Sequence, residues 1–385
     1  MTSTAVLDDA RRLAPLISER AAETEAARCV PEDLAALLGA AGFFRLYVPA
    51  TLGGREVDPF TAFQVVETLA AADGSTGWTS FILNTSFFTS WLDPGVAKEL
   101  LSTEPDSGMA GLFAPIGRAV PDGDTAFRVT GRWPFNSGSP HASWFCQGVL
   151  VFDGDKPRML SEQMPDWRFV FIPAADSEIL DTWHVAGLRG TASNDVTSTE
   201  ALVPEERTTN PVFRPAPHDG TLFRWSFFGI LSTLMAGFPM GVARRALDEF
   251  TTLASTKSRG GGVALADTDA GAIAIVRAEA SLRAARAYIF DVIGDAWDTA
   301  LRGDGLSPAQ RAGLRMGAHN AMRVGLDVTN TVFAMAGGGA LYDDSPLQRC
   351  WRDIHAGSHH IFFSDDHVLK TGRVWLGRPT DDWLV

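Results

Sequence analysis

The sequence predicts a mainly helical protein with an inserted β domain. An N-terminal helical domain spans residues 1–105, a small central β-barrel or sandwich spans 106–215, and a C-terminal four-helix bundle spans 216–385. Three observations predict this order. Residues before about 105 are alanine-rich, with apolar side chains at helical spacing, and the apolar period then drops to two as far as about 215. Beyond that point Leu314, Ala318, Ala321, Gly325, Val328, Val332 and Met335 recur at steps of 4-3-4-3-4-3. That last pattern is a bundle seam whose small residues permit close helix contact.

In chain order, Pro31 with Glu32 and Asp33 makes a first helical turn, because proline has no amide to orphan there and acids suit the positive helix end. Residues 58–72 follow, with Phe60, Phe63, Val66 and Leu69 three apart. Residues 74–92 are rich in Trp, Phe, Ser and Thr and free of charge until the end of the run, as in a helix buried on all sides. Residues 127–130, 144–152 and 168–172 read as strands between Gly, Pro and Asp turns. Residues 211–220, with Pro211, Pro215, Pro217 and Gly220, form a linker into the bundle. A second stripe, Ile273, Val276, Ala280, Ala284, Ala287, Phe290, Ile293 and Trp297, offers the seam a partner helix.

Composition narrows the partners. At 385 residues, 45% hydrophobic and 21% charged, the chain has the make-up of a soluble globular protein with a large core. The net charge of −13 argues against nucleic acid or an anionic membrane, since both reward basic patches. Cys29, Cys146 and Cys350 are scattered and odd in number, so neither a disulfide framework nor a zinc ribbon is implied. Residues 1–12 lack an apolar signal core, and no uncharged apolar run approaches transmembrane length. The expected location is the cytoplasm.

Chemistry concentrates in residues 347–360, where Arg349, Arg352 and Asp353 lead into His355, His359 and His360 on what reads as one helix, shortly after Gly337-Gly338-Gly339. Three imidazoles so close together are costly to bury without partners. A glycine break lets a backbone approach a phosphate. Together they point to an anionic cofactor beside an acid–base residue, and so to an enzyme.

Several segments then carry a family resemblance that covers nearly the whole chain. Gly131-Arg132-Trp133-Pro134-Phe135-Asn136-Ser137-Gly138 resembles the β-domain segment beside the flavin ring in the acyl-CoA dehydrogenase fold. Trp183-His184-Val185-Ala186-Gly187-Leu188-Arg189-Gly190-Thr191-Ala192-Ser193-Asn194-Asp195-Val196, followed by Val203-Pro204, resembles the second flavin-side segment. Gly337-Gly338 with Arg352-Asp353 resembles the stretch that reaches a neighbouring subunit's cofactor. The resemblance implies a flavin protein, usually a homotetramer, and the small-residue seam with the glycine break leads us to expect a dimer or tetramer that shares the cofactor between chains. The resemblance also implies that Trp133, Phe135, Asn136, Ser137, Arg189, Thr191, Ser193, Gly337, Gly338 and Arg352 hold the cofactor.

The branch follows from a departure. Dehydrogenases of this fold place a glutamate base after the Arg-Asp pair, whereas residues 357–365 here contain His359 and His360 and no Glu. The family's Gln before the paired glycines is also missing, since Ala334 and Met335 stand there. The pattern resembles the reduced-flavin-dependent monooxygenases of the same fold, which take FADH2 or FMNH2 from a separate reductase and react it with O2. A C4a-hydroperoxyflavin has to outlast its own decay, which requires a dry site and a hydroxyl at flavin N5, for which Ser137 matches. An imidazole that binds or deprotonates a substrate OH or NH activates the ring. His360 matches that position, with His359 as its neighbour. The expected substrate is an aromatic small molecule, indole-like or phenolic, with Trp78, Asn84, Phe88 and His141 as its contacts and Thr85 and Ser86 as further polar anchors.

Other readings stand beside these. An acyl thioester dehydrogenase, an amino-sugar N-oxygenase and a non-catalytic flavin-fold scaffold all fit the fold. Ser137 also reads as an ordinary turn serine, and Gly337–Gly339 as a helix stop. Arg352-Asp353 also reads as a structural ion pair, and the aromatic residues of 78–91 as core. His355 and His359 are a helical i, i+4 pair, but no Glu follows the first and no third ligand is placed, so no metal is expected.

Overall fold

Alanine-rich N-terminal segments form α1 (Ser3–Glu19), α2 (Ala21–Ala27) and α3 (Glu32–Ala40) in the computed structural model, which describes residues 3–257 and 263–380. Asp58 caps α4 (Pro59–Ala72) by accepting from Thr61 N–H, and Asp73 caps α5 (Gly74–Leu83) by accepting from Thr76 N–H. Every residue of α5 except Ile82 is buried, and the segment continues after Leu83 as a 3-10 turn, Thr85–Trp91, rather than as one long helix. A further helix, α6 (Pro94–Ser102), closes the N-terminal part.

The strands are β1 (Gly108–Ala110), β2 (Gly117–Pro121), β3 (Ala126–Asn136), β4 (Ala142–Asp153), β5 (Lys156–Pro157), β6 (Met159–Ser161), β7 (Met164–Pro165), β8 (Trp167–Pro173), β9 (Glu178–Leu180), β10 (Asn194–Pro204) and β11 (Thr208–Thr209). The main sheet runs β11-β8-β4-β2-β3-β10-β9, with β1 and β5 added to β4, and β6 pairs β7 separately. The order has two ends, so the expected barrel is left open. Val129, Trp133, Val149, Val151, Val170 and Ile172 fill an interior of its own.

The long helices are α7 (Phe227–Thr256), α8 (Asp269–Leu301), α9 (Pro308–Ala336), α10 (Pro346–Ser358) and α11 (Asp365–Trp375). α4 packs along α7, and the two helical parts share one hydrophobic core. The α9 seam is buried from Leu314 to Val332, with Met335 half-buried. The partner stripe lies on a different face from the one expected. α8 buries Ala274, Ala278, Leu282, Ala285, Ile289, Ile293 and Ala296, while Ile273 and Val276 stay 49% and 67% exposed. Alanines occur on both faces of this helix, so the spacing of apolar residues does not select between them, and packing does. α7 also departs from expectation, because by length and composition it is apolar enough to cross a membrane. Of its apolar window, 89% is buried inside the protein, so it is the central core helix.

Candidate active site

The two glycine-bounded β-domain segments and the turn between α10 and α11 converge on Trp78 of α5. The Trp78 indole N–H donates to Ser137 Oγ at 3.1 Å. Ser137 Oγ lies 2.5 Å from Ser193 Oγ, Ser193 Oγ lies 2.6 Å from Thr191 Oγ1, and Thr191 donates to the Leu188 carbonyl at 2.9 Å. All of these side chains are buried.

The ends of this chain fix its direction. A carbonyl only accepts, so Thr191 spends its proton on Leu188 and must accept from Ser193. Ser193 then accepts from Ser137. The order is Trp78 N–H to Ser137 to Ser193 to Thr191 to the Leu188 carbonyl. Ser137 therefore keeps an unshared lone pair and has no proton to offer a ligand. The backbone around it is strained: Phe135, Leu188 and Ala192 have left-handed φ of 62°, 53° and 44°. Such conformations persist where the surroundings over-determine them, as at ligand sites.

His360 lies on the other side of Trp78, with ring centroids 5.7 Å apart, and Phe362 is 5.8 Å beyond it. Its Nδ1 accepts from Phe362 N–H at 3.3 Å, which fixes the ring. Burial, and then the Arg315 charge, push its pKa down to about 4, so the imidazole is neutral at ordinary pH. Gly357 makes the approach possible, since a Cβ there would stand 2.5 Å from Phe238 and 3.2 Å from Trp78. The histidines do not share one helix. α10 ends at Ser358, His359 is its exposed C-cap, and His360 turns inward as the cap of the next 3-10 turn. His355 is engaged elsewhere, 2.9 Å from Asn330 Oδ1 and against Trp351.

Arg352 and Asp353 are not an ion pair with each other. Arg352 donates to the Ala186 carbonyl at 2.7 Å and pairs with Glu25 at 2.6 Å, while Asp353 Oδ1 accepts from Leu188 N–H at 2.6 Å. Both fasten the 186–188 loop to α10, and Gly187 is required there because a Cβ would meet the Arg352 carbonyl at 2.0 Å. Burial, and then the neighbouring Asp73 carboxylate, push the Asp353 pKa up to about 7.

Several expected contacts take other positions. Trp133 lies in the β-domain interior and donates to the Gly148 carbonyl at 2.9 Å, so its ring is not available to a cofactor. Asn136 is saturated by the Trp133 carbonyl and Gln147. Asn84 is saturated by the Phe43 and Ser80 carbonyls and Leu46 N–H, and it holds α5 to the preceding loop rather than anchoring substrate. Thr85 and Ser86 bond backbone carbonyls of Ile82 and Phe44. Phe88 is fully buried among Phe87, Phe113 and Phe227. His141 bonds the Val30 carbonyl at 2.9 Å and contacts Cys29 Sγ at 3.3 Å, tying the β domain to the N-terminal helices. Gly337, with φ 63°, ends α9, and Lys257 caps the Ala336 carbonyl. A helix C-terminus is the negative end of its dipole. Gly338 has open space around it. Arg189 is exposed.

A flat heteroaromatic cofactor fits what remains. Phe135 is 62% exposed, edge-on to Trp183 at 6.2 Å, and stands two residues from a hydroxyl with a lone pair for an N–H donor. Thr191, Ser193, Trp78 and Ser137 thus act as one unit. Sequence reasoning missed Glu25, Asp73 and Arg315, since Arg315 shares α9 with Arg311 and Arg323 and reads as part of a solvated face.

Comparison with known proteins places the chain in a family. The family model for the acyl-CoA dehydrogenase N-terminal domain matches residues 3–93, and that for the C-terminal domain matches residues 233–365. An indole-3-acetate monooxygenase of Pseudomonas putida is 30% identical, over 93% of this chain and 90% of its own. The HsaA oxygenase subunit of a flavin-dependent monooxygenase of Rhodococcus jostii is 29% identical, over 97% of this chain and 98% of its own. The crystal structure of a 3-HSA hydroxylase from Rhodococcus sp. RHA1 superposes with a TM-score of 0.91 at 28% identity, covering 99% of each chain. On the two family models and a 30% identical relative matched over 93% of this sequence, the chain belongs to the acyl-CoA dehydrogenase fold superfamily, in its branch of flavin-dependent monooxygenases.

Proposed function

We propose that this chain is the oxygenase component of a two-component system and hydroxylates an aromatic small molecule, indole-like or phenolic. Reduced FAD or FMN comes from a separate reductase and O2 is the co-substrate. The observation that carries the reading is the directed hydroxyl relay whose first hydroxyl is Ser137, one indole away from His360. The names of the Pseudomonas and Rhodococcus relatives, a monooxygenase of indole-3-acetate and a flavin-dependent oxygenase subunit, support it.

Reduced flavin, when bound, supplies the electron pair that lets one atom of O2 enter the substrate while the other leaves as water. Ser137 accepts at flavin N5 and holds there the proton that would otherwise leave with peroxide. His360, neutral and with Nδ1 accepting from Phe362 N–H, carries its proton on Nε2. It would orient a substrate oxygen by donating from there, and would take the proton of a substrate OH or NH only at Nδ1 by giving up the Phe362 contact, which raises the electron density of the ring. Trp78, Phe362 and Phe363 wall this position and exclude water. Phe135 and the 186–193 loop hold the cofactor, and Gly337 and Gly338 face a neighbouring subunit. A homo-oligomer, dimer or tetramer, is part of this reading. Exposed Ile273, Val276, Leu341 and Tyr342 support it, the last two beside the glycine turn.

The test supplies reduced flavin and 18O2 with a panel of indoles and phenols and measures label in the product by mass spectrometry. Incorporation of one labelled atom is expected. Bleaching of bound oxidised flavin by an acyl thioester without O2 would establish a dehydrogenase instead.

A further inference from the structure

Arg315 is a buried cation with no carboxylate beside it. It is 4% exposed, and among the described residues no acid pairs with it. Its guanidinium lies between two rings, 4.9 Å above Phe228 and 4.5 Å above Phe362. Nη2 lies against the edge of the His367 ring, 2.6 Å from Nδ1 and 2.8 Å from Nε2, and His367 Nε2 is also 3.0 Å from the Ile361 carbonyl. Among the described residues, Nε and Nη1 have no hydrogen-bond partner.

Two ring faces stabilise the charge in part, but buried N–H groups on a cation are costly without an acceptor. Burial pushes the Arg315 pKa down to about 9, which still leaves it charged at neutral pH. Phe362, which stacks on Arg315, also touches His360. A positive, under-bonded guanidinium thus stands one ring behind the residue proposed to engage the substrate's OH or NH.

We propose that Arg315 is the receptor for a carboxylate carried by the aromatic substrate, so that the site selects aromatic acids over their neutral counterparts. The inference rests on reading the His360 pocket as the substrate site of a hydroxylase. An aromatic acid would place its ring against Trp78 and Phe362, its OH or NH at His360, and its carboxylate on the open nitrogens of Arg315. Anion and cation then neutralise one another in a dry pocket, which gives a reason for carrying the charge there.

The test is binding and thermal stability of the full chain, loaded with reduced flavin under argon and also without flavin. The probes are indole-3-acetate and phenylacetate against indole-3-acetamide and phenylacetamide. The parent should bind the acids about 10- to 100-fold tighter than the amides, the range for hydrogen bonds to a charged group. Acids, not amides, should raise its Tm. Arg315→Met should lose the preference while binding amides and flavin as before, and its ligand-free Tm should be no lower than the parent's. Arg315→Lys should retain part of the preference, which keeps the test usable if the methionine variant fails to fold.

Equal binding of acids and amides by the parent overturns the proposal, as does preference retained in Arg315→Met. A loss of flavin affinity with acid preference unchanged would assign Arg315 to the cofactor and overturn it as well. Turnover separates this from the broader reading. Labelled product from amides and acids alike leaves the hydroxylase standing without the receptor, whereas acid preference without oxygen incorporation leaves the receptor without the hydroxylase.

Discussion

Ser193→Ala isolates the relay from the cofactor contact. Ser193 stands one hydroxyl away from Ser137, 2.5 Å from it, and accepts its proton. Without that acceptor the Ser137 hydroxyl can rotate and donate, and its lone pair is no longer held toward N5. The loss is one neutral hydrogen bond, about 0.5–1.5 kcal/mol, which is roughly a 2- to 12-fold faster release of peroxide relative to product. Ser137→Ala removes the N5 acceptor itself and orphans the Trp78 N–H, so its effect should be larger, about 10- to 100-fold. Ser193→Thr keeps a hydroxyl and should restore most of the coupling. The assay is the ratio of hydrogen peroxide to hydroxylated product at saturating reduced flavin, with flavin affinity measured in parallel. If Ser193→Ala couples as well as the parent while Ser137→Ala does not, the relay has no role and Ser137 acts alone.

His360→Ala should abolish hydroxylation, by about 10²–10⁴ in rate if the imidazole is a general base, while flavin oxidation continues. His360→Asn should recover part of the rate if orientation dominates, and the same substitutions at exposed His359 should change little. Because the His360 pKa is depressed from 6.5 to about 4, the acidic limb of kcat/KM should fall below pH 6.5. The sign for stability follows: between those values the unfolded chain binds the proton and the folded chain does not, so stability declines as pH falls through 6.5 toward 4, readable as Tm against pH. Asp353 has the opposite sign, since its folded pKa is raised from 3.8 to about 7 and the parent loses stability as pH rises through that window. Asp353→Asn, still an acceptor for Leu188 N–H, should not show that loss, whereas Asp353→Ala should cost roughly 1–3 kcal/mol and weaken flavin binding. Val276→Glu on the exposed face of α8 should shift the sedimentation profile toward monomer, and an unchanged oligomer or an already monomeric parent would refute a role for that face.

The order of helices, strands and helices was legible in the sequence because each element writes its period into its own residues, as the α9 seam and the alternation around β4 do. The histidine turn and the two glycine-bounded β-domain segments were legible as motifs for the same reason, being contiguous. Proximity in sequence did not reveal direction in space. Trp133, Asn136 and Ser137 sit within five residues, yet a strand alternates its faces. The left-handed turn at Phe135 sends Trp133 to the interior, ties Asn136 to Gln147, and leaves Ser137 at the relay. On α8, alanines on both faces made the apolar stripe ambiguous, and only the packing of Leu282 and Ile289 decided it. The partners that give the site its chemistry are remote in the chain: Ser137 meets Ser193 across 56 positions, Asp353 meets Leu188 across 165, and Arg315 meets His367 across 52. A sequence states which groups are present. Whether a hydroxyl accepts or donates, whether an imidazole is neutral and whether a cation is paired depend on which distant groups the tertiary fold brings within hydrogen-bond distance, and on how much water it removes from around them.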